Sequence, residues 1–183
     1  MHEIQPPFAD PPEHYLMPTI HIRPALSADA PAICAIYNPY VATTTITFEE
    51  EPVADADMAQ RIADVAAAGL PWLVAEAGGK VVGYAYATKW RARAAYRHSV
   101  ESTVYVDAAC VGQGIGRALY AALLDDLRGR GLHLVIGGIA QPNAGSVGLH
   151  EALGFRKVAH FAEVGMKFGR WIDVGYWQLH LGR

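Results

Sequence analysis

Three glycines at alternate positions, Gly112, Gly114 and Gly116, form the segment with the clearest chemistry in this 183-residue chain. They stand between a predicted strand and a helical pattern, where unpaired backbone N–H groups and the helix dipole favour a phosphate. Glycine lets a pyrophosphate approach the backbone without meeting a Cβ atom. A dinucleotide fingerprint would need glycine at the position of Arg117, and the Gly-Lys-Ser/Thr of a Walker loop is absent. The spacing predicts a phosphate site of another type, with a tight turn that binds no ligand as the alternative.

A carboxylate occupies the middle of the strand that the sequence predicts over residues 98–106, just before the glycines. In the period-two alternation of a strand, Glu101 and Thr103 point to one face, whereas Val100 and Ser102 point to the other. A carboxylate inside a sheet is desolvated, which raises its pKa toward the range that suits a general base. Glu101 is therefore the candidate base. The alternative is that it only binds a substrate ammonium or pairs with a nearby arginine.

A basic stretch precedes this strand, with Arg91 and Arg93 at its centre. Two guanidinium groups can bind a carboxylate or phosphinate through paired hydrogen bonds, and a solvated basic turn is the alternative. The aromatic rings of Trp90 and Tyr96 could line such a pocket, although aromatic side chains more often belong to a core or a subunit contact. The stretch indicates a site for a small anionic group.

The composition argues against several classes of function. A net charge of −3 disfavours a general binder of nucleic acid or anionic membranes, since both require a basic excess. Cys34 and Cys110 have no CxxC spacing, which predicts reduced thiols in a cytoplasmic protein. The histidines form no metal-binding spacing such as HExxH, so we expect no metal. No apolar run reaches the ~18 residues of a membrane-spanning helix.

Hydrophobic periodicity predicts one domain over residues 19–183, after a flexible, proline-rich tail at residues 1–18. Strand patterns occur at residues 19–23, 43–48, 72–76, 81–87, 98–106, 134–139, 155–164 and 171–181. Helical patterns begin near Ser27, Met58, Ile115 and Asn143. Pro39 predicts that the first helix ends or kinks near Asn38. This order predicts a mixed α/β fold around one sheet.

The glycine segment resembles the coenzyme loop of the GNAT family of acetyl-CoA-dependent N-acetyltransferases. That loop reads Gln/Arg-x-x-Gly-x-Gly/Ala and wraps the coenzyme A pyrophosphate. Gly114-Ile115-Gly116 fits the glycine part, whereas Val111 departs from the Gln/Arg position. Because backbone amides hold most of the phosphate, we expect Val111 to lower the affinity without abolishing the site.

A second GNAT feature follows at the expected distance. It consists of Asn143 and the segment 149–155, in which His150 stands where the family often has tyrosine. The match covers residues 19–181. It implies the GNAT fold, an α/β (mixed α+β) architecture with a single, central, mostly antiparallel mixed sheet flanked by helices. It also implies acetyl-CoA as co-substrate, bound by Val104, Tyr105, Val106, Gly112, Gln113, Gly114, Ile115, Gly116, Arg117, Asn143 and Ala152.

Three further blocks, residues 90–96, 100–106 and 167–173, look like those of phosphinothricin and methionine sulfoximine N-acetyltransferases. The resemblance implies a small amino-acid-like acceptor, a role in antibiotic or herbicide resistance, and a homodimer with residues 167–173 near the subunit contact. It implies an acceptor site formed by Arg91, Ala92, Arg93, Tyr96, Glu101, Ser102 and Thr103.

The reaction that the resemblance implies is direct attack of the acceptor amine on the thioester, without an acyl-enzyme. Glu101 would remove the amine proton, directly or through water, and His150 would donate to the thiolate or join the base relay. A histidine packed against the core is the alternative for His150. Backbone N–H groups flanking Tyr105 would polarise the thioester carbonyl if the sheet opens there.

Two other functions remain open from the sequence. One is a GNAT acting on another small amine, such as a polyamine, an aminoglycoside or a peptide N-terminus. Arg91 and Arg93 argue against cationic acceptors, since like charges repel. The other is a module that binds acyl-CoA as a sensor without catalysis, which would bind the coenzyme tightly without turnover.

Overall fold

The computed structural model describes residues 19–182. The strands are β1 (His21–Pro24), β2 (Trp72–Ala77), β3 (Lys80–Lys89), β4 (Ser99–Val106), β5 (Leu134–Ala140), β6 (Arg156–Lys167) and β7 (Arg170–His180). The helices are α1 (Ala30–Thr43), α2 (Asp55–Ala67), α3 (Ile115–Gly129) and α4 (Ala144–Ala152). The tail expected at residues 1–18 lies outside the described residues. None of the helices formed by residues 19–182 is both long and apolar enough to cross a membrane.

All seven strands belong to one sheet, in the order β1-β2-β3-β4-β5-β7-β6. The β4–β5 pair is parallel and the other neighbouring pairs are antiparallel. The hairpin between β2 and β3 turns at Gly78 and Gly79, whose φ angles of 57° and 76° favour glycine. The prediction of a mostly antiparallel mixed sheet flanked by helices is confirmed.

Two apolar cores cover the two faces of the sheet. The first packs α3 against one face, where Leu119 and Leu123 lie beside Val100 and Val135. The second packs α1 and α2 against the other face, where Tyr105 joins the buried side chains of those helices. The alternation predicted for β4 therefore separates its side chains between the two faces, and this separation divides the candidate site residues.

The strand predicted at residues 43–48 is wrong, because α1 continues through Pro39 to Thr43 and a loop follows. The β-branched side chains that favour a strand by composition instead bond back to the helix. The hydroxyl of Thr43 donates to the Pro39 carbonyl, and that of Thr44 donates to the Tyr40 carbonyl. Local side-chain hydrogen bonds of this kind compete with sheet formation. Residues 44–54, which we call the α1–α2 loop, cross the face of the sheet instead.

The parallel pair at the centre of the sheet is short. It comprises three residue pairs, ending at Glu101 and Ile136, although both strands continue beyond that point. From there β4 and β5 separate. A strand edge without a neighbour presents backbone N–H and C=O groups that need another partner.

Candidate active site

The separation of β4 from β5 creates a cleft of about 100 Å³. Its walls come from the ends of both strands, from α4 and from the α1–α2 loop. The lining residues are Ile46, Ser102, Thr103, Val104, Tyr105, Gly138, Ile139, Ala140, Asn143, Ser146 and His150. The opening that the resemblance required beside Tyr105 is thus present, and the cleft has free backbone groups along its β4 wall.

The glycine segment connects β4 to α3 with a tight turn. Gly112 and Gly114 have φ angles of 83° and 80°, a conformation that other residues adopt only under strain. Gly114 caps α3, and the N–H of Ala118 is bonded to its carbonyl oxygen. The N–H groups that precede Ala118, in the first turn of α3, therefore have no acceptor within the helix. The segment fits a pyrophosphate, which these donors and the helix dipole would stabilise.

Val111, at the Gln/Arg position of the family loop, is exposed to solvent, whereas Gly116 is closely packed. The Val111 side chain is 63% exposed and so leaves the backbone of the turn accessible. Gln113 and Arg117 are also exposed. A Cβ on Gly116 would stand 3.5 Å from Val106 and 3.6 Å from Leu149, so the start of α3 fits closely between β4 and α4.

Asn143 and Ala152, also implied for coenzyme binding, stand at the two ends of α4. The side-chain oxygen of Asn143 accepts a hydrogen bond of 3.1 Å from the N–H of Ser146 and caps the helix. Asn143 also lines the cleft. Ala152 lies at the other end of α4, exposed and away from the residues that line the cleft.

His150 belongs to a buried chain of hydrogen bonds on the α3 face of the sheet. Its Nε2 lies 2.9 Å from the hydroxyl of Tyr120, and that hydroxyl lies 2.5 Å from Oγ of Ser102. Its Nδ1 lies 2.7 Å from the carbonyl oxygen of Ser146. A carbonyl oxygen only accepts, so Nδ1 carries the proton and Nε2 accepts from Tyr120. The Tyr120 hydroxyl then accepts from Ser102.

Burial lowers the pKa of the His150 imidazole and raises that of the Tyr120 hydroxyl. Both side chains are therefore neutral near pH 7. Ser102 and His150 line the cleft, whereas Tyr120, which does not line it, is hydrogen-bonded to both. Tyr120 could not be recognised from the sequence, because a tyrosine on the apolar stripe of a helix has the pattern of an ordinary core residue.

Glu101 faces the opposite side of the sheet, next to Gly138 and Tyr176. A Cβ placed on Gly138 would stand 3.2 Å from Oε1 of Glu101 and 3.2 Å from the Tyr176 ring. Burial raises the pKa of the Glu101 carboxyl, and the positive charge of Arg91 offsets part of this effect. The structure thus separates Glu101 from His150 and Ser102, which lie on the α3 face.

A second cavity, of about 340 Å³, opens on the Glu101 side of the sheet. It is mostly apolar and is lined by Trp90, Arg91, Leu134, Ile136, Val158, Ala159, Phe161, Tyr176 and Gln178. The Arg91 guanidinium lies 4.7 Å from the centre of the Trp90 ring, and Trp90 meets Tyr176 edge to face. Tyr176 and Phe161 could not be recognised from the sequence, since the alternation of a strand does not reveal which side chains of other elements they contact.

The other residues implied for the acceptor lie in the turn between β3 and β4. Ala92, Arg93 and Tyr96 are exposed there, and the Tyr96 N–H bonds to the Arg93 carbonyl oxygen. Thr103 lies on the same strand face as Glu101 and lines the cleft. The structure therefore brings Arg91, Glu101 and Thr103 to one side of the sheet and leaves Arg93 at its rim.

No group of three or more His, Cys, Asp or Glu side chains in residues 19–182 has the arrangement of a metal site. Both cysteines of the chain are free, with Cys34 buried and Cys110 half-buried. Burial raises the pKa of the Cys34 thiol to about 11, which makes it a poor nucleophile.

Residues 22–175 match the acetyltransferase (GNAT) domain family. This chain belongs to the GNAT family. The prediction of a GNAT acetyltransferase and of its fold is confirmed, with acetyl-CoA as the co-substrate.

Two curated relatives share almost half of their residues with this GNAT. It is 46% identical to a phosphinothricin N-acetyltransferase of Alcaligenes faecalis, over 84% of this chain and 78% of that protein. It is 44% identical to an L-methionine sulfoximine/L-methionine sulfone acetyltransferase of Pseudomonas aeruginosa, over 87% of this chain and 94% of that protein. The narrower resemblance of the three sequence blocks agrees with both.

A solved structure shares the fold closely. The phosphinothricin acetyltransferase of Sinorhizobium meliloti, in complex with acetyl-CoA, superposes with a TM-score of 0.86 at 38% identity. The alignment covers 90% of this chain and 89% of that one. The sheet and helices described above therefore form a framework that binds acetyl-CoA in a relative.

The glycine turn gives a direct test of the coenzyme loop. Gly114→Ala forces a Cβ into a φ of 80°, which costs about 1–2 kcal/mol or moves the loop. We expect the Kd for acetyl-CoA, measured by calorimetry, to rise about tenfold. Gly78→Ala is the control, because it introduces similar strain in the distant β2–β3 turn and leaves the Kd unchanged. Equal affinities for both variants would contradict the assignment.

Proposed function

We propose that this GNAT transfers the acetyl group of acetyl-CoA to the α-amine of a small amino-acid-like acceptor of the phosphinothricin or methionine sulfoximine type. The observation that carries the proposal is the position of Glu101. It stands where β4 and β5 separate, with its carboxylate next to Tyr176, which lines the cavity on the acceptor side. The loop that fits a pyrophosphate lies beyond the far end of the same strand. Donor and acceptor would therefore meet at the opening of the sheet, from opposite sides.

The donor side uses backbone groups. The turn at Gly112, Gly114 and Gly116 would hold the pyrophosphate, and the edge of β4 that faces the cleft from Val104 to Val106 would pair with the pantetheine amides. The Val106 carbonyl oxygen on that edge also accepts a hydrogen bond from the Tyr40 hydroxyl. Asn143 lines the cleft beside that edge. A bound coenzyme would satisfy backbone groups that the separated strands leave without a neighbour.

The acceptor amine must lose a proton before it attacks, since an ammonium has no lone pair. A free α-amine titrates near ~8, so a base with a raised pKa is needed close to it. Burial moves the pKa of Glu101 in this direction. Glu101 accepts the proton, either directly or through one water molecule. It also attracts the ammonium form electrostatically before the transfer.

The charge that develops on the donor side falls in the cleft. Backbone N–H groups flanking Tyr105 stabilise the negative charge on the thioester oxygen. The leaving thiolate needs a hydrogen bond and a proton. Because Nε2 of His150 accepts from Tyr120 and carries no proton, the chain from Ser102 to His150 has no proton to pass outward. The Ser102 hydroxyl at the cleft can turn to donate a hydrogen bond to the thiolate, and the nitrogen that has attacked the thioester releases the proton that the thiol takes up.

Charge and shape on the acceptor side favour an anionic amino acid with an apolar or compact side chain. Arg91 lines the cavity and Arg93 is exposed on the turn between β3 and β4, and both guanidinium groups can bind a carboxylate or phosphinate. Polyamines and aminoglycosides would meet like charge there. The aromatic walls formed by Trp90, Tyr176 and Phe161 suit the apolar part of the acceptor.

A homodimer is part of the proposal. The β6–β7 hairpin lies at an edge of the sheet and exposes several large apolar side chains, namely Phe161, Val164, Met166, Phe168 and Trp171. Exposed apolar groups of this density favour a protein contact. Within residues 167–173, Phe168 and Trp171 are available for it, whereas Lys167 is buried inside the subunit.

A cytoplasmic location and a resistance role fit this reaction. Acetyl-CoA is an intracellular metabolite, and free thiols such as Cys34 and Cys110 are typical of reducing compartments. Acetylation removes the positive charge of the α-amine, which changes how other proteins recognise the acceptor. A toxic amino-acid analogue would lose its activity in this way.

An acceptor panel tests the substrate class. The protein and acetyl-CoA are mixed with phosphinothricin, methionine sulfoximine, methionine sulfone, a polyamine, an aminoglycoside and a short peptide, and free coenzyme A thiol is measured. We expect release with the first three, because their anionic groups suit Arg91 and Arg93, and none with the cationic amines. Release with the polyamine alone would overturn the assignment, and no release with any amine would favour a sensor module.

Glu101→Gln tests the catalytic role at nearly constant volume. Loss of a general base lowers kcat by about 10²–10⁴-fold, and we expect the Kd for acetyl-CoA to stay unchanged. Because the active form of Glu101 is the carboxylate, activity of the native enzyme should fall as pH drops through its raised pKa. Glu51→Gln, at an exposed position, is the control. An unchanged kcat in Glu101→Gln would contradict the proposal.

A further inference from the structure

A buried ammonium group lies outside the residues that the proposed reaction uses. The Lys167 side chain is 1% exposed, and its Nζ donates a hydrogen bond of 2.8 Å to the carbonyl oxygen of Thr47. Its Nζ also lies 5.1 Å from the centre of the Phe168 ring. Lysine is almost never fully buried without a partner, since desolvating its charge is costly. This cost requires a compensating contact, and the contact joins two separate parts of the fold.

Those two parts are the last residue of β6 and the middle of the α1–α2 loop. Thr47 also contacts α1, since its hydroxyl lies 2.6 Å from that of Tyr37. Tyr37 packs edge to face on Tyr105, with ring centres 5.0 Å apart. Position 47 therefore connects Lys167 on one side with the cleft wall of β4 on the other.

The loop carries a cleft residue next to Thr47. Ile46 lines the cleft together with residues of β4, β5 and α4. Phe48, on the other side of Thr47, lies against Gly165 so closely that a Cβ there would stand 2.6 Å from the ring. The loop thus touches β6 at two neighbouring points, one polar and one apolar.

The other contacts of the loop hold it to the helices rather than to the sheet. Asn38 exchanges two hydrogen bonds with the backbone of Val53, and Arg61 pairs with Glu49. The Asn38 bonds fix the C-terminal end of the loop relative to α1, and the Arg61 pair ties Glu49, at its centre, to α2. The contacts with β6 fix its middle relative to the strands that form the cleft.

Electrostatics support the same arrangement. Burial lowers the pKa of the Lys167 ammonium, while the charges of Glu49 and Glu50 on the loop act in the opposite direction. Both glutamates belong to the segment that Lys167 holds. A loop that moved away from β6 would therefore leave the ammonium without its carbonyl acceptor and farther from both negative charges.

We propose that Lys167 is a positioning residue, whose hydrogen bond to Thr47 holds the α1–α2 loop against β6 so that Ile46 closes the acceptor side of the cleft. The kinetic consequence rests on the proposed function. The structural consequence, a loop docked on β6 by Lys167, does not. Ile46 meets the cleft together with Thr103 and Tyr105, on the Glu101 face of the sheet, whereas the phosphate loop lies at the start of α3. The acceptor KM should therefore respond to this contact more than the Kd for acetyl-CoA does.

The first experiment compares Lys167→Met with the native enzyme. Methionine keeps the length of the side chain and removes the donor. We expect the acceptor KM to rise about tenfold or more, because a charge-assisted hydrogen bond is lost, while the Kd for acetyl-CoA changes less than about twofold. Lys167→Arg retains a donor and should restore part of the acceptor affinity. Lys157→Met, at an exposed position on the same strand, is the matched control and should leave the acceptor KM unchanged.

A second readout does not depend on activity. Hydrogen–deuterium exchange of peptides covering residues 44–51 should accelerate in Lys167→Met, whereas peptides from α3 should exchange as in the native protein. Gly165→Val displaces Phe48 from β6 and should reproduce both effects, which keeps the test open if Lys167→Met fails to fold.

The outcomes separate this inference from the proposed function. Unchanged exchange at residues 44–51 overturns the inference, as does faster exchange without a change in acceptor KM. A parallel rise in the acceptor KM and the acetyl-CoA Kd also overturns it, because the residue would then be only structural. If the native enzyme acetylates no acceptor, the proposed function fails while the exchange experiment still tests the loop.

Discussion

The separation of β4 from β5 after Glu101 and Ile136 is the constraint on which the rest of the site depends. If the two strands paired along their whole length, β5 would bond to the backbone N–H and C=O groups of β4, and no space would remain between the strands. The opening instead leaves a cleft at the centre of the sheet and free backbone donors along one wall. It also lets a ligand on one face of the sheet contact a ligand on the other face. Transfer of a group between two substrates requires such contact.

Two glycines on β5 permit this arrangement. A Cβ on Gly137 would overlap the His150 ring, and a Cβ on Gly138 would crowd Glu101. Because successive strand residues point to opposite faces, adjacent glycines make room for a histidine on one face and a carboxylate on the other. The candidate base and His150 therefore approach the same opening without sharing a face. Burial raises the pKa of Glu101, which suits a base, and keeps the His150 imidazole neutral, so that its Nε2 accepts from Tyr120.

The sequence predicted the glycine turn, the faces of β4 and most of the strands, because each depends on local spacing. It placed a strand at residues 43–48, where helix-capping threonines determine the structure instead. Tyr120 and Lys167 could not be recognised from spacing. A tyrosine on an apolar helix stripe resembles a core residue, and a lysine in a strand pattern is expected to be exposed. Their roles depend on partners that lie 30 and 120 positions away along the chain.

The measurement that tests the central claim most directly is residue-resolved amide exchange by NMR, with and without acetyl-CoA. If the coenzyme occupies the opening, the amides of residues 103–106 that do not bond to β3 should exchange more slowly when it is bound, as should those of residues 112–117. Amides of β1 and β2 serve as the reference and should not change. Slower exchange confined to residues 112–117, with β4 unaffected, would contradict the account, because the separated strands would then bind no part of the donor.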